Sequence, residues 1–265
     1  MKIRWVIGAA VLAGVVGVFG PAVAASAAGS FANGTFNCSQ GGSTCSSPFT
    51  TLYRGDTTSI APWTVTQNSV DWINGYWLPP PGGGYSVDMN GSGYPANGQI
   101  AQTFATTAGA TYFVSFELSG NFNTACTLPT AGSQTVYVVA PGTTPTDTIA
   151  NVPNLGTPFT FLESSVSGGY GYLTNMGWTT KGYTFTAASS TTSSTLTFTA
   201  DPTNTSNCGP VIANVSVTQV AASGAQCKDG GWQMGIVVNN EVVTFTNQGQ
   251  CVSYFATSGD TPIGS

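Results

Sequence analysis

Four carboxylates, Asp71, Asp88, Glu117 and Asp201, lie in or beside stretches that alternate apolar and polar residues. A pair of carboxylates is the apparatus of glycoside hydrolysis. One protonates the leaving oxygen and the other activates water or attacks the sugar, across a gap of about 5 to 10 Å. Spacing along the chain does not give that gap. Asp71 in "SVDWI" and Asp88 in "SVDMN" equally suit turn-forming acids that accept nearby backbone N–H bonds, and the sequence favours this second role. Ser164, Ser165 and many threonines supply hydroxyls, but the chain has no histidine, the usual general base of serine and cysteine hydrolases. Lacking histidine and any CxxC pair, it has no zinc-binding pattern. No enzymatic activity is expected.

Binding chemistry is better represented. "VDWINGYWLPPPGGGY" gathers Trp72, Tyr76, Trp77 and Tyr85 around a Pro/Gly-rich loop, and Tyr94 sits in the loop-like "GSGYPANG". Sugar rings present apolar C–H faces that stack on aromatic rings, while amides and carboxylates bond the hydroxyls. Asp88, Asn90 and Asn121 suit that second task. The alternative role for rings is to cover a core. It is expected of Trp63 and Trp72, with strand-like flanks, and of Trp178. Tyr76, Trp77 and Tyr94, on loops, are expected to be exposed.

These residues need a scaffold, and the alternation supplies it. "TYFVSFEL" puts Tyr112, Val114, Phe116 and Leu118 on one face and Ser115 and Glu117 on the other. "QTVYVVA" is apolar on both faces, as a central buried strand is. "YTFTA", "STLTFTA" and "VIANVSVTQV" continue the series, separated by turn clusters such as "PPPGGG", "NGSGYPANG" and "APGTTPTDT". "AASSTTSS" reads as a hairpin loop. No helical apolar period of useful length follows the N-terminal region. Short strands without crossover helices predict an all-β, antiparallel sandwich.

The 265 residues divide into three parts. Lys2 and Arg4, an apolar run from Val6 to Phe19, and small residues through Ala27 form a signal-peptide pattern, predicted to be cut after Ala27. Residues 28–220 are the sandwich. Residues 221–265 form a small tail module with hairpin-like strands around "VVNNEVV". Three bases, Arg54, Lys181 and Lys228, remain against ten acids after the leader, so nucleic acid is a poor partner and no membrane insertion is expected. Six cysteines in an exported chain predict disulfides, and six allow 15 pairings. Within the tail, Cys227 and Cys251 are the expected pair. Closing that loop contributes about 3 kcal/mol by chain entropy. "GDTPIGS" ends the sequence without an LPxTG motif, which predicts free secretion or non-covalent association with a cell wall.

"ANGTFN", "WTVTQNSVDWI", "YSVDMNGSG", "GQIAQTFATTAGATYFVSFELSGN", "MGWTTKGYTFTA", "STLTFTA" and "CGPVIANVSV" occur in this order between Phe31 and Val220. The ordered set resembles the choice-of-anchor C family of exported bacterial proteins and the domain-of-unknown-function 642 proteins of plant cell walls. The resemblance implies a galactose-binding-like jelly roll and a polysaccharide partner. It also implies a bond between Cys126, after "SGN", and Cys208 of "CGPV", which leaves Cys38 with Cys45. Relatives carry acids at the positions of Asn37 and Ala213, where such jelly rolls can hold a structural calcium. Both acids are missing here, so no cofactor is expected, and Ala213 reads as a core residue sharing parity with Val211, Val215 and Val217. The tail resembles a two-cysteine module found at the ends of other exported bacterial proteins. The chain is thus expected to be a secreted carbohydrate-binding protein, with a surface spacer as the alternative and a hydrolase behind both.

Overall fold

The computed structural model describes residues 30–38, 45–93, 95–123, 132–140, 147–149, 152–228 and 230–258. Tyr94, Cys126 and residues 1–29 lie outside them. One sheet runs, side by side, β1 (Phe49–Tyr53), β3 (Ser69–Ile73), β4 (Ser86–Asp88), β12 (Pro210–Val220), β6 (Thr111–Gly120) and β10 (Thr179–Thr186). The second runs β2 (Thr64–Gln67), β5 (Gln99–Ala105), β11 (Ser193–Ala200), β7 (Ser133–Val139), β9 (Val152–Leu162) and β8 (Asp147–Ile149). All pairings are antiparallel. This is an antiparallel jelly-roll sandwich, with β12 laid between β4 and β6.

The period-2 pattern points one side of each strand into the space between the sheets. Val114, Phe116 and Leu118 of β6 meet Leu196 and Phe198 of β11 there, together with Trp63, Trp72 and Phe104. A buried indole N–H needs an acceptor. Trp63 Nε1 donates to the Asn33 carbonyl at 3.0 Å and Trp72 Nε1 to the Phe36 carbonyl at 2.8 Å. The N-terminal "ANGTFN" segment is therefore pinned to the core.

Two sequence readings are corrected here. "AASSTTSS" is not a hairpin loop. β10 pairs with β6 in the first sheet, while β11 pairs with β5 and β7 in the second, so the segment crosses between sheets. Ala213 does not share a face with Val215. The register of β12 against β6 slips between Ala213 and Ser216, where Asn214 takes a left-handed φ of 49°. Such a bulge inverts the alternation. Ile212 and Val215 enter the main core, while Val211 packs in a separate cluster on the sheet's other side. Ala213 is buried, but on the outer face.

The tail forms a third, two-stranded sheet, β13 (Ile236–Val238) with β14 (Glu241–Val243). Asn239 and Asn240 join the strands with φ of 51° and 62°, the signature of the tight turn that suits a twisted hairpin. Beside it lies α1 (Gln248–Ser258), a helix that the sequence reading did not foresee. Asn247 Oδ1 accepts the Gln250 N–H at 3.0 Å and starts it. Cys251 and Phe255, one turn apart, join Ala221, Cys227 and Ile236 in a small core. Cys227 and Cys251 are bonded, as are Cys38 and Cys45. Cys208 is also disulfide-bonded, and its expected partner Cys126 lies outside the described residues.

Candidate functional site

The outer face of the first sheet has an unusual composition. The register sets Thr51, Asp71, Asp88, Val211 and Ser119 in one row across β1, β3, β4, β12 and β6. Two loops fold over this row. One spans residues 74–85 and contributes Trp77; the other spans residues 166–178 and contributes Tyr170 and Met176, which join Ile73 and Val211 in an apolar cluster. Two carboxylates are thereby buried side by side, Asp71 at 5% and Asp88 at 1% exposure.

Buried carboxylates need donors. Asp71 receives the Ser92 N–H on both oxygens at 3.0 Å and the Ser92 hydroxyl on Oδ2 at 2.7 Å. Asp88 Oδ1 accepts the N–H groups of Asn90 at 2.9 Å and Gly209 at 3.0 Å, and Oδ2 accepts Asn121 Nδ2 at 2.8 Å. Gly209 has to be glycine. A Cβ there would lie 2.5 Å from Asn90 Oδ1 and would push away the Asn90 side chain, whose amide donates to the Asn204 and Ser206 carbonyls. Burial, and then the charge on Asp71, raise the Asp88 carboxyl well above its ordinary value of 3.8. Gln134 fixes the surroundings: its Oε1 accepts the Asn121 N–H at 2.8 Å, and its Nε2 donates to the Asn121 carbonyl at 2.7 Å.

Above the two acids is a cleft of about 70 Å³. Asp71 and Asp88 are among the residues that line it. Phe49, Ile73, Tyr76, Trp77, Ser92, Asn121, Asn123, Asn207 and Cys208 complete the lining. Trp77 also borders a neighbouring hollow of about 210 Å³ with Asn74, Pro79 and Gly84. Phe49 is the open ring, 36% exposed, with its edge against Tyr76 at 5.5 Å. Tyr76 is half-buried, stacked on Tyr172 at 6.2 Å, and its hydroxyl accepts Asn123 Nδ2 at 2.8 Å.

Four of the eight candidate ligand residues, Tyr76, Trp77, Asp88 and Asn121, therefore converge. Trp77 is not exposed as its loop position implied. The loop folds back over the sheet, leaving Trp77 4% exposed with its indole N–H on Ser86 Oγ at 3.0 Å. Trp72 faces the inter-sheet core, and Tyr85 packs on it at 4.8 Å, both away from the cleft. Asn90 is fully buried and holds the 204–208 loop through Nδ2, at 3.1 Å to the Asn204 carbonyl and 2.7 Å to that of Ser206. Trp178, read as core, is only half-buried in the outer cluster. Tyr94 lies outside the described residues.

Asp71 is not a local turn acid, since its donor Ser92 is 21 residues away. Glu117 accepts Thr180 Oγ1 at 2.8 Å across β6 and β10, and Asp201 caps Thr203, so neither belongs to the cleft. Phe49, Ser92, Asn123 and Asn207 were not singled out. The amides in "SGNFN" and "SNCGP" beside the ends of strands were the available signal. The donor set for a calcium at positions 37 and 213 does not fit: Ala213 has no side-chain oxygen, and Asn37 offers a neutral amide in place of a carboxylate. Among the described residues, no three His, Cys, Asp or Glu side chains cluster as a metal site.

The chain belongs to the family described as "Protein of unknown function (DUF642)", which matches residues 29–218. No curated protein matches it. Solved structures with a similar course include a CBM4 module (14% identity, 72% of this chain, 99% of that one, TM-score 0.33). A family 35 carbohydrate binding module from Clostridium thermocellum (11%, 63%, 97%, TM-score 0.36) is similar too. So is CBM35 from Paenibacillus barcinonensis (19%, 64%, 98%, TM-score 0.34). Likeness this distant carries no argument about the site.

Proposed function

We propose that this chain is a secreted, non-catalytic carbohydrate-binding protein, its partner a cell-wall or other extracellular polysaccharide. The observation that supports the reading is the lining of the cleft. A partly exposed ring, Phe49, stands beside two carboxylates and three asparagines that can bond hydroxyls. Disulfides favour an oxidising compartment. No described helix is long and apolar enough to cross a membrane. The ordered sequence motifs favour the choice-of-anchor C branch and a galactose-binding-like sandwich. Binding is favoured over hydrolysis because Asp71 and Asp88 are almost wholly buried and already accept hydrogen bonds from Ser92, Asn90, Gly209 and Asn121.

Affinity electrophoresis through gels carrying galactan, glucans, chitin or pectin tests the reading. Retardation by at least one glycan, lost in Phe49→Ala, is the expected result. No retardation in any gel would leave a surface spacer. Release of reducing sugar, abolished by Asp88→Asn, would make the protein a hydrolase.

A further inference from the structure

We infer that the cleft over Asp71 and Asp88 selects an uncharged sugar and rejects uronic acids. This rests on the carbohydrate-binding reading and specifies its ligand class. Each carboxylate oxygen has two lone pairs. The bonds above fill both positions of Asp71 Oδ2 and of Asp88 Oδ1. Asp71 Oδ1 and Asp88 Oδ2 have one donor each, so each keeps one acceptor position. Sugar hydroxyls are the donors that a neutral glycan brings to such positions.

Charge sharpens the choice. The two acids set carboxyl oxygens side by side in a site largely withdrawn from water. None of the described residues lining the cleft is a lysine or an arginine. Arg54 and Lys228 are exposed and Lys181 is only half-buried on β10, the far edge strand of the first sheet. A ligand carboxylate here meets like charge without a counter-ion, and like-charge juxtaposition discriminates strongly.

The test uses one backbone in two charge states. Calorimetric titration at pH 7 compares galacturonate oligomers, free and fully methyl-esterified, with neutral galactose oligomers, each with and without calcium chloride. Neutral and esterified ligands are expected to bind at least tenfold more tightly than the free acid. Asn207→Lys, at an exposed position on the rim, is expected to raise free-acid binding at least tenfold while near-ultraviolet circular dichroism stays unchanged. Equal or tighter binding of the free acid by the wild type would overturn the inference and leave the carbohydrate-binding reading intact. Free-acid binding that appears only with calcium would overturn it in favour of a cation bridge. No binding of any of these oligomers, together with no retardation in any glycan gel, would overturn both.

Discussion

The first sheet has two faces, and they are built on opposite terms. Its inner face is apolar at the centre, and its one buried indole N–H, that of Trp72, is satisfied by the N-terminal segment. Its outer face is equally covered at the centre, yet holds two acids that face each other across β3 and β4. The inner face follows the rule that burial and apolarity go together. The outer face departs from it at one row, and a cleft opens there. Stability is therefore expected to reside on one side and recognition on the other.

Substitutions separate the two. Phe198→Ala, on β11 of the second sheet and in the core that the inner face covers, is expected to destabilise by about 3–5 kcal/mol, because it removes a fully buried ring and leaves a cavity. Chemical denaturation measures this. Cys251→Ser should loosen the tail module by about 3 kcal/mol. Limited proteolysis would then cut after Ala221 while the melt of the sandwich moves little; a joint collapse would mean that the module supports the sheet.

Asp88 gives a pH signature. Its folded pKa lies above the unfolded value of 3.8, so the folded state binds more protons in between. The favourable contribution of protonated Asp88 is present below 3.8 and is lost as pH rises through the raised value. Wild-type stability measured against Asp88→Asn should accordingly fall with rising pH above 3.8. A flat or rising difference would mean that Asp88 is not held in its protonated form. Phe49→Ala should be the mildest change, within about 0.5 kcal/mol, since the ring is partly exposed. Its effect should fall on binding alone.

Much of the inner side could be read from the chain. Alternation in "TYFVSFEL" and "STLTFTA" gave the core faces of β6 and β11, because burial on one side imposes a period of two. The outer side could not be read in this way. Asp71 and Asp88 are 17 positions apart, and only the register of β3 against β4 makes them neighbours. The Ala213 error has a local cause, one left-handed Asn that reverses the alternation, and Asn is a residue that tolerates that conformation. Trp77 was misjudged because loop membership says nothing about a loop folding back. In the tail, "TNQGQC" carried a start signal for a helix, Asn247 followed three residues later by Gln250. The helix is short and its apolar stripe narrow, so periodicity gave little help.

The division of labour between the faces can be tested in one titration. The indole N–H resonances of nitrogen-15-labelled protein report Trp63 and Trp72 inside and Trp77 at the cleft. Addition of the tightest-binding neutral oligosaccharide is expected to shift the Trp77 signal progressively while those of Trp63 and Trp72 stay fixed. A saturable shift elsewhere, with Trp77 unmoved, would contradict the assignment of the cleft as the binding site.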